Sequence, residues 1–229
     1  MVNTNRYRTD GFPPDFEDDE VSIIRAVEPF TMTGAERVQA LIRAVKYIVT
    51  NQIPGDFVEC GVWKGGSVMA MALTLLHLSR PDRHLYLFDT FSGMTRPGEI
   101  DVDYLGQSAN DVLEQVRSVA SEDEVRAAVY STGYTHSHIH FVRGPVEETI
   151  PAYAPDQIAL LRLDTDWYSS TRHELIHLFP RLVSQGVIIV DDYGHWRGAR
   201  AAVDQYFAQY AIPILLHRID YTGRIGIKR

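Results

Sequence analysis

Residues 56–67 read Asp56-Phe57-Val58-Glu59-Cys60-Gly61-Val62-Trp63-Lys64-Gly65-Gly66-Ser67, a short strand that runs into a glycine-rich turn. An apolar helix is expected directly after it, over Val68 to Leu78. Further strand candidates stand at His84 to Asp89, Ile139 to Val142, Ile158 to Asp164 and Gly186 to Asp191, with helical or loop stretches between them. Strand and helix in alternation predict an α/β fold built on a mostly parallel sheet, with helices on both faces.

Upstream of the glycine turn, Thr33-Gly34-Ala35-Glu36 fits a capping box. Val38, Leu41, Ile42, Val45, Ile48 and Val49 then recur at helical spacing, which predicts an amphipathic helix ending near Asn51. Residues 1–30 combine Pro13, Pro14 and Pro29 with the acidic run Glu17-Asp18-Asp19-Glu20 and show no sustained apolar period. They read as an N-terminal arm or lid, leaving 31–229 as a single domain. Downstream, residues 101–135 hold two expected helices, the second opened by the capping box Ser121-Glu122-Asp123-Glu124. After a helix around Gly198 to Tyr210, Ile214 to Ile219 and Arg224 to Lys228 flank Asp220-Tyr221-Thr222-Gly223 as a terminal antiparallel hairpin.

Composition narrows the function classes. A formal charge of −8, with 22 scattered Lys and Arg among 229 residues, supplies no basic stripe for a nucleic-acid backbone. No apolar run approaches the roughly 18 residues of a membrane helix. The opening MVNTNRYRTD lacks the apolar core of a secretion signal, and the single Cys60 has no internal disulfide partner. A cytoplasmic setting is expected, and so are a small-molecule partner and a homo-oligomeric state.

The loop after the first strand of a parallel sheet is where a nucleotide cofactor binds. A dinucleotide site wants G-x-G-x-x-G, but the position of the second glycine, where backbone approaches pyrophosphate, holds Trp63. S-adenosylmethionine carries no phosphate. Its zwitterionic end suits Glu59 near the ammonium and loop amides or Ser67 near the carboxylate, and Asp89, ending the second strand, suits a ribose diol. The glycines alone would equally serve an ordinary strand-to-helix turn; together with Glu59 and Asp89 they favour the cofactor.

The fourth strand ends Leu163-Asp164-Thr165-Asp166 and the fifth Val190-Asp191-Asp192-Tyr193. Neighbouring parallel strands would gather these carboxylates at the ligand-binding edge, where they repel unless a pKa rises or a cation joins them. No Lys lies beside them in sequence, and oxygen ligands suit Mg²⁺. Asp164 and Asp192 as plain helix caps is the competing reading.

Two histidine patterns offer other chemistry. His173-Glu174-Leu175-Ile176-His177 matches H-E-x-x-H and makes a zinc metallopeptidase the rival enzyme reading. Against it, Leu175, Leu178, Phe179 and Leu182 form the face expected to pack on the sheet, which turns both imidazoles away, and no third ligand follows. His136, His138 and His140 alternate as if lining one face of a strand, where they could hold a soft metal. Cys60 reads as a core hydrophobe. A third class, a non-catalytic nucleotide-binding module, would not need Asp164, Asp191 and Asp192 together.

Four ordered motifs, Gly55 to Ser67 (GDFVECGVWKGGS), Leu87 to Met94 (LFDTFSGM), Leu161 to Thr171 (LRLDTDWYSST) and Val187 to Gly194 (VIIVDDYG), resemble the macrocin O-methyltransferase (TylF/MycF) family over roughly residues 33–229. The resemblance implies a class I, Rossmann-like methyltransferase sheet. It further implies Mg²⁺ dependence and transfer of a methyl group from S-adenosylmethionine to a sugar hydroxyl of a secondary metabolite such as a glycosylated antibiotic. Carried over, the metal ligands fall on Asp164, Asp191 and Asp192, with Asp164 also the general base. The cofactor contacts fall on Glu59, Gly61, Ser67 and Asp89, with Gly144 and Glu147 beside the adenine.

Overall fold

The computed structural model describes residues 8–116 and 118–229. Seven strands form one sheet among them: β1 (Asp56–Cys60), β2 (Leu85–Asp89), β3 (Ile139–Arg143), β4 (Ile158–Leu163), β5 (Leu182–Val190), β6 (His217–Arg218) and β7 (Arg224–Ile227). Their order is β3-β2-β1-β4-β5-β7-β6. The first five are parallel, and β7 joins β5 and β6 antiparallel, so the terminal hairpin expected from the sequence is present, its first strand reduced to two residues.

The central strands are largely apolar because both faces are covered, β4 being buried at all six positions. Alternation sorts its residues. Phe57, Leu85, Leu87, Leu160, Val187 and Ile189 pack with α2 (Ala35–Thr50) and α3 (Gly66–His77) on one face. Val58, Phe88, Leu161, Ile188 and Val190 pack with α7 (Tyr168–Leu178) and α8 (Arg197–Gln209) on the other. Helices α4 (Ala109–Val116) and α5 (Glu122–Tyr130) fill the segment between β2 and β3, the short α6 (Val146–Thr149) follows β3, and Ser121 and Glu124 close the expected capping box.

Two local expectations are corrected. Helix α2 is capped by the backbone of Gly34, with no side-chain bond, and the Thr33 hydroxyl turns into the site to accept from Arg162. The segment read as an arm contains α1 (Asp18–Val27), whose Val21, Ile23, Ile24 and Val27 join the core, while residues 1–7 lie outside the described residues. The acidic run Glu17-Asp18-Asp19-Glu20 is the charge partner of α2. Glu20, buried, accepts from Gln39 and Arg43, and Lys46 reaches Glu17 and Asp19 at 2.7 and 2.8 Å. Among the described residues no helix is long and apolar enough to cross a membrane.

Candidate functional site

The strand ends are laced together where the parallel strands stop. Gly61 N donates to Phe88 O, Asp164 N to Cys60 O and Asp191 N to Leu163 O, each at 2.9 Å. This brings the glycine turn after β1 against the DTD turn after β4. A Cβ at Gly61 would lie 2.0 Å from the carbonyl oxygen of Asp164, and Gly61 also has φ +81°, so the close approach itself demands glycine.

A cavity of about 500 Å³ opens over this edge. Gly61, Ser67, Asp89, Gly144, Glu147, Asp164, Asp191 and Asp192 all line it, so every site residue expected from the sequence reaches its surface except Glu59. Asp89 organises one wall: Oδ2 accepts from the amides of Val62 (2.6 Å) and Trp63 (3.1 Å), and Oδ1 from Phe91 (2.7 Å). Trp63 and Phe91 both have φ near +50°, left-handed backbone that bulky residues rarely adopt and that these bonds hold in place.

The opposite wall is the carboxylate cluster. Asp164, Asp191 and Asp192 offer oxygens within 4.8 Å of one another, the only such group of three metal-ligating side chains among the described residues. The helix-cap reading fails: Trp167 and Trp196 cap α7 and α8 without side-chain bonds, and the α7 amide of Tyr168 donates to Asp101. Burial pushes Asp164 up to about 6, with Arg162 pulling against it. Burial likewise drives Asp192 well upward, reinforced by Asp166, Asp164 and Asp191.

The residue that sequence reasoning missed is Arg162. Its Nη1 bonds Glu59 Oε1 (2.5 Å) and Asp164 Oδ2 (2.6 Å), and its Nη2 bonds Asp191 Oδ1 (2.6 Å) and Thr33 Oγ1 (3.2 Å). Burial opposes its charge, but Asp164, Asp191 and Glu59 more than offset that. Arg37, from α2, takes the other oxygen of Asp191. The cluster therefore has basic partners, contrary to the sequence reading that looked beside it only for Lys. The signal was visible: an arginine inside an otherwise apolar strand must meet carboxylates. Asp166, also unassigned from sequence, faces the cavity with φ +66°. It accepts from Trp196 Nε1 at 2.7 Å while its amide donates to Asp192 Oδ2.

Glu59 lies opposite Arg162 on the neighbouring strand, 1% exposed. Burial pushes its carboxyl up to about 8, and Oε2 has no hydrogen-bond partner. An orphaned acceptor under the glycine turn fits an ammonium donor from a cofactor. The donor set also fits a divalent cation, because Asp192 forms no ion pair among the described residues and the three carboxylates supply hard oxygens.

The histidine patterns resolve differently. His173 and His177 are half-buried neighbours with ring centroids 4.4 Å apart, and His173 Nε2 contacts Ile150 O at 3.0 Å. Glu174 points the other way, fully buried, accepting from Thr165 Oγ1 at 2.9 Å, so it cannot act on water at an ion held by those imidazoles. Nothing supports the metallopeptidase reading. The expected alternation of His136, His138 and His140 on a strand is also corrected. His136–His138 form a tight 3₁₀ turn before β3; His136 stacks on Tyr130, while His138 and His140 gather with His84. Cys60 is buried and free.

Comparison with known proteins agrees with this geometry. Residues 19–225 match the macrocin-O-methyltransferase (TylF) family. The chain is 34% identical over 195 residues to demethyldecarbamoylnovobiocin O-methyltransferase of Streptomyces niveus, covering 84% of this chain and 73% of that one. It is 33% identical over 197 residues to an 8-demethyl-8-(2,3-dimethoxy-α-L-rhamnosyl)-tetracenomycin-C 4'-O-methyltransferase of Streptomyces olivaceus, with the same coverage. The solved O-methyltransferase NovP superposes with a TM-score of 0.78 at 32% identity, over 87% of this chain and 82% of that one. The calicheamicin methyltransferase CalS11, 17% identical with a TM-score of 0.68 over 91% of each chain, shares the fold.

Proposed function

The chain belongs to the macrocin-O-methyltransferase family and is an O-methyltransferase, and from that premise we propose that it methylates a sugar hydroxyl of a glycosylated natural product, using S-adenosylmethionine and Mg²⁺. The observation that carries the reading is the meeting of Asp164, Asp191 and Asp192 on the wall of the same cavity that Gly61, Ser67 and Asp89 line.

In this reading Asp89 accepts from the ribose hydroxyls, Ser67 and the loop amides hold the cofactor's carboxylate, and Glu59 Oε2 takes its ammonium. Gly144 and Glu147 flank the adenine. When bound, S-adenosylmethionine would supply an electrophilic methyl group, and a Mg²⁺ ion held by Asp164, Asp191 and Asp192 would supply positive charge. A sugar hydroxyl is almost fully protonated at neutral pH, so a group must take its proton as the methyl is attacked. Asp164 has that role: it leaves the end of β4 with 27% of its side chain open, and Arg162 fixes its other flank. Arg162 bonds Glu59, Asp164 and Asp191 at once, so the cofactor side and the acceptor side of the cavity share one support. Preorganisation of this kind is worth much of the rate, because bringing nucleophile and methyl into near-attack geometry contributes up to about 7 to 11 kcal/mol.

Calorimetric titration with S-adenosylhomocysteine tests the cofactor: binding is expected with and without Mg²⁺, and NAD should bind in neither condition. Equal thermal stabilisation by S-adenosylhomocysteine and NAD would overturn the cofactor assignment. Transfer of a labelled methyl group to glycosylated acceptors, but not to the matching aglycones, tests the sugar.

A further inference from the structure

Asp191 differs from the other two carboxylates of the cluster in that guanidinium groups already hold both of its oxygens: Oδ1 accepts from Arg162 Nη2, Oδ2 from Arg37 Nη1. The two arginines are not equally free. Arg162 is embedded in β4 with a 3% exposed side chain, and its departure would strand Glu59, Asp164, Asp191 and Thr33 together. Arg37 stands in the first turns of α2, lines the cavity and is 15% exposed. It has a second partner. Its Nε lies 3.0 Å from Asp220 Oδ2, an ion pair out of line for a hydrogen bond. Asp220 occupies the turn before β7, where Oδ1 accepts the amides of Thr222 and Gly223, so Oδ2 is the oxygen turned toward Arg37.

We propose that Arg37 is a tethered counter-ion of the aspartate cluster: it neutralises Asp191 when no metal is bound, and a divalent cation binds by exchange, Asp191 passing from Arg37 to the ion while Arg37 stays on Asp220. The inference rests on the metal reading above. Three carboxylates crowded within 4.8 Å without a cation repel one another, and a guanidinium contributed by α2 relieves that cost in the metal-free protein. The same charge opposes an incoming dication, so Arg37 sets the affinity below what the three carboxylates alone would give. No covalent chemistry is involved, and the retreat needs only a side-chain swing between two partners it already touches.

The test reads metal binding without turnover. Mn²⁺ serves as the probe, followed by the paramagnetic resonance signal of the free ion, in protein without cofactor or acceptor. Arg37→Gln is expected to bind Mn²⁺ roughly tenfold tighter than wild type or more, since one opposing charge is gone. Arg37→Lys keeps the charge and should stay within about threefold. Asp220→Asn removes the retreat partner, leaves Arg37 to Asp191 alone, and should weaken Mn²⁺ about fivefold. Opposite signs at two residues in contact are not what a loosened fold produces, because loosening weakens both. Without metal, Arg37→Gln should melt lower than wild type and gain more from saturating Mn²⁺. Unchanged or weaker binding by Arg37→Gln would show that Arg37 orients Asp191 as a ligand, and the exchange would be wrong. If wild type and all variants bind no Mn²⁺ at millimolar concentration, the metal reading itself fails and takes the inference with it.

Discussion

Glu174→Gln isolates the thermodynamic consequence of a buried carboxyl that no cation neutralises. Glu174 has no exposed surface; Oε1 accepts from Thr165 Oγ1 and Oε2 has no hydrogen-bond partner. Burial raises its pKa from the ordinary 4.5 to about 8, with Thr165 pulling against it and Glu147 and Asp164 adding to it. Because the folded value lies above the unfolded one, the unfolded chain loses this proton first. Below pH 4.5 both states hold the proton and the group is neutral in its effect; as pH rises from 4.5 toward 8, wild-type stability falls by about 1.4 kcal/mol per unit. Over the full interval the loss reaches about 5 kcal/mol. Glutamine keeps the shape and the acceptor for Thr165 but cannot ionise. Its amide is left unpartnered where the carboxyl's O–H was, an offset of about 1–3 kcal/mol at most that does not vary with pH. The slope is therefore the diagnostic. The stability gap between wild type and Glu174→Gln should change by about 4 kcal/mol between pH 5 and 8, a relative shift in melting temperature on the order of 10 °C for a chain of this size. The variant should gain at the alkaline end. A gap that stays constant across that range would refute the reasoning and mean that Glu174 ionises in the folded protein at little cost.

Asp192→Asn should lower methyl transfer at least tenfold, with part of the rate returning as Mg²⁺ is raised and with little change in S-adenosylhomocysteine affinity. Asp164→Asn should lose rate that added metal does not restore, because proton transfer is lost as well; near-wild-type rates for both variants in chelator would remove the metal from the mechanism. Gly61→Ala places a Cβ 2.0 Å from the carbonyl oxygen of Asp164 at φ +81°, and should destabilise the protein by more than about 3 kcal/mol in urea denaturation and abolish binding of S-adenosylhomocysteine. An Ala variant of wild-type stability would mean that the two turns do not touch.

Much of the architecture was readable because its signals are local. The run Asp56 to Cys60, the glycines after it and the apolar β4 segment each state their own conformation, and a parallel sheet whose strands end in Asp89, Asp164 and Asp191 directs those carboxylates to one edge. The β-hairpin and the Ser121 cap were legible for the same reason. Helix α1 was not: Pro13, Pro14 and four consecutive acids hide an apolar face whose charge partners, Arg43 and Lys46, sit more than twenty residues away on α2.

The sequence by itself determined which elements form, where the strands stop and which carboxylates stand at their ends, since periodicity and turn residues act over a few positions. Only the tertiary structure decided who neutralises whom. The order β1-β4-β5 sets Glu59 opposite Arg162, and the same face carries Asp191 two residues beyond Ile189, Arg162's partner on β5. It also brings Arg37 and Thr33 across from α2, and it turns Glu174 inward while His173 and His177 remain on the far side of the helix. Charge pairing depends on separation in space, and residues 103 apart in the chain, such as Glu59 and Arg162, meet only after the sheet has formed.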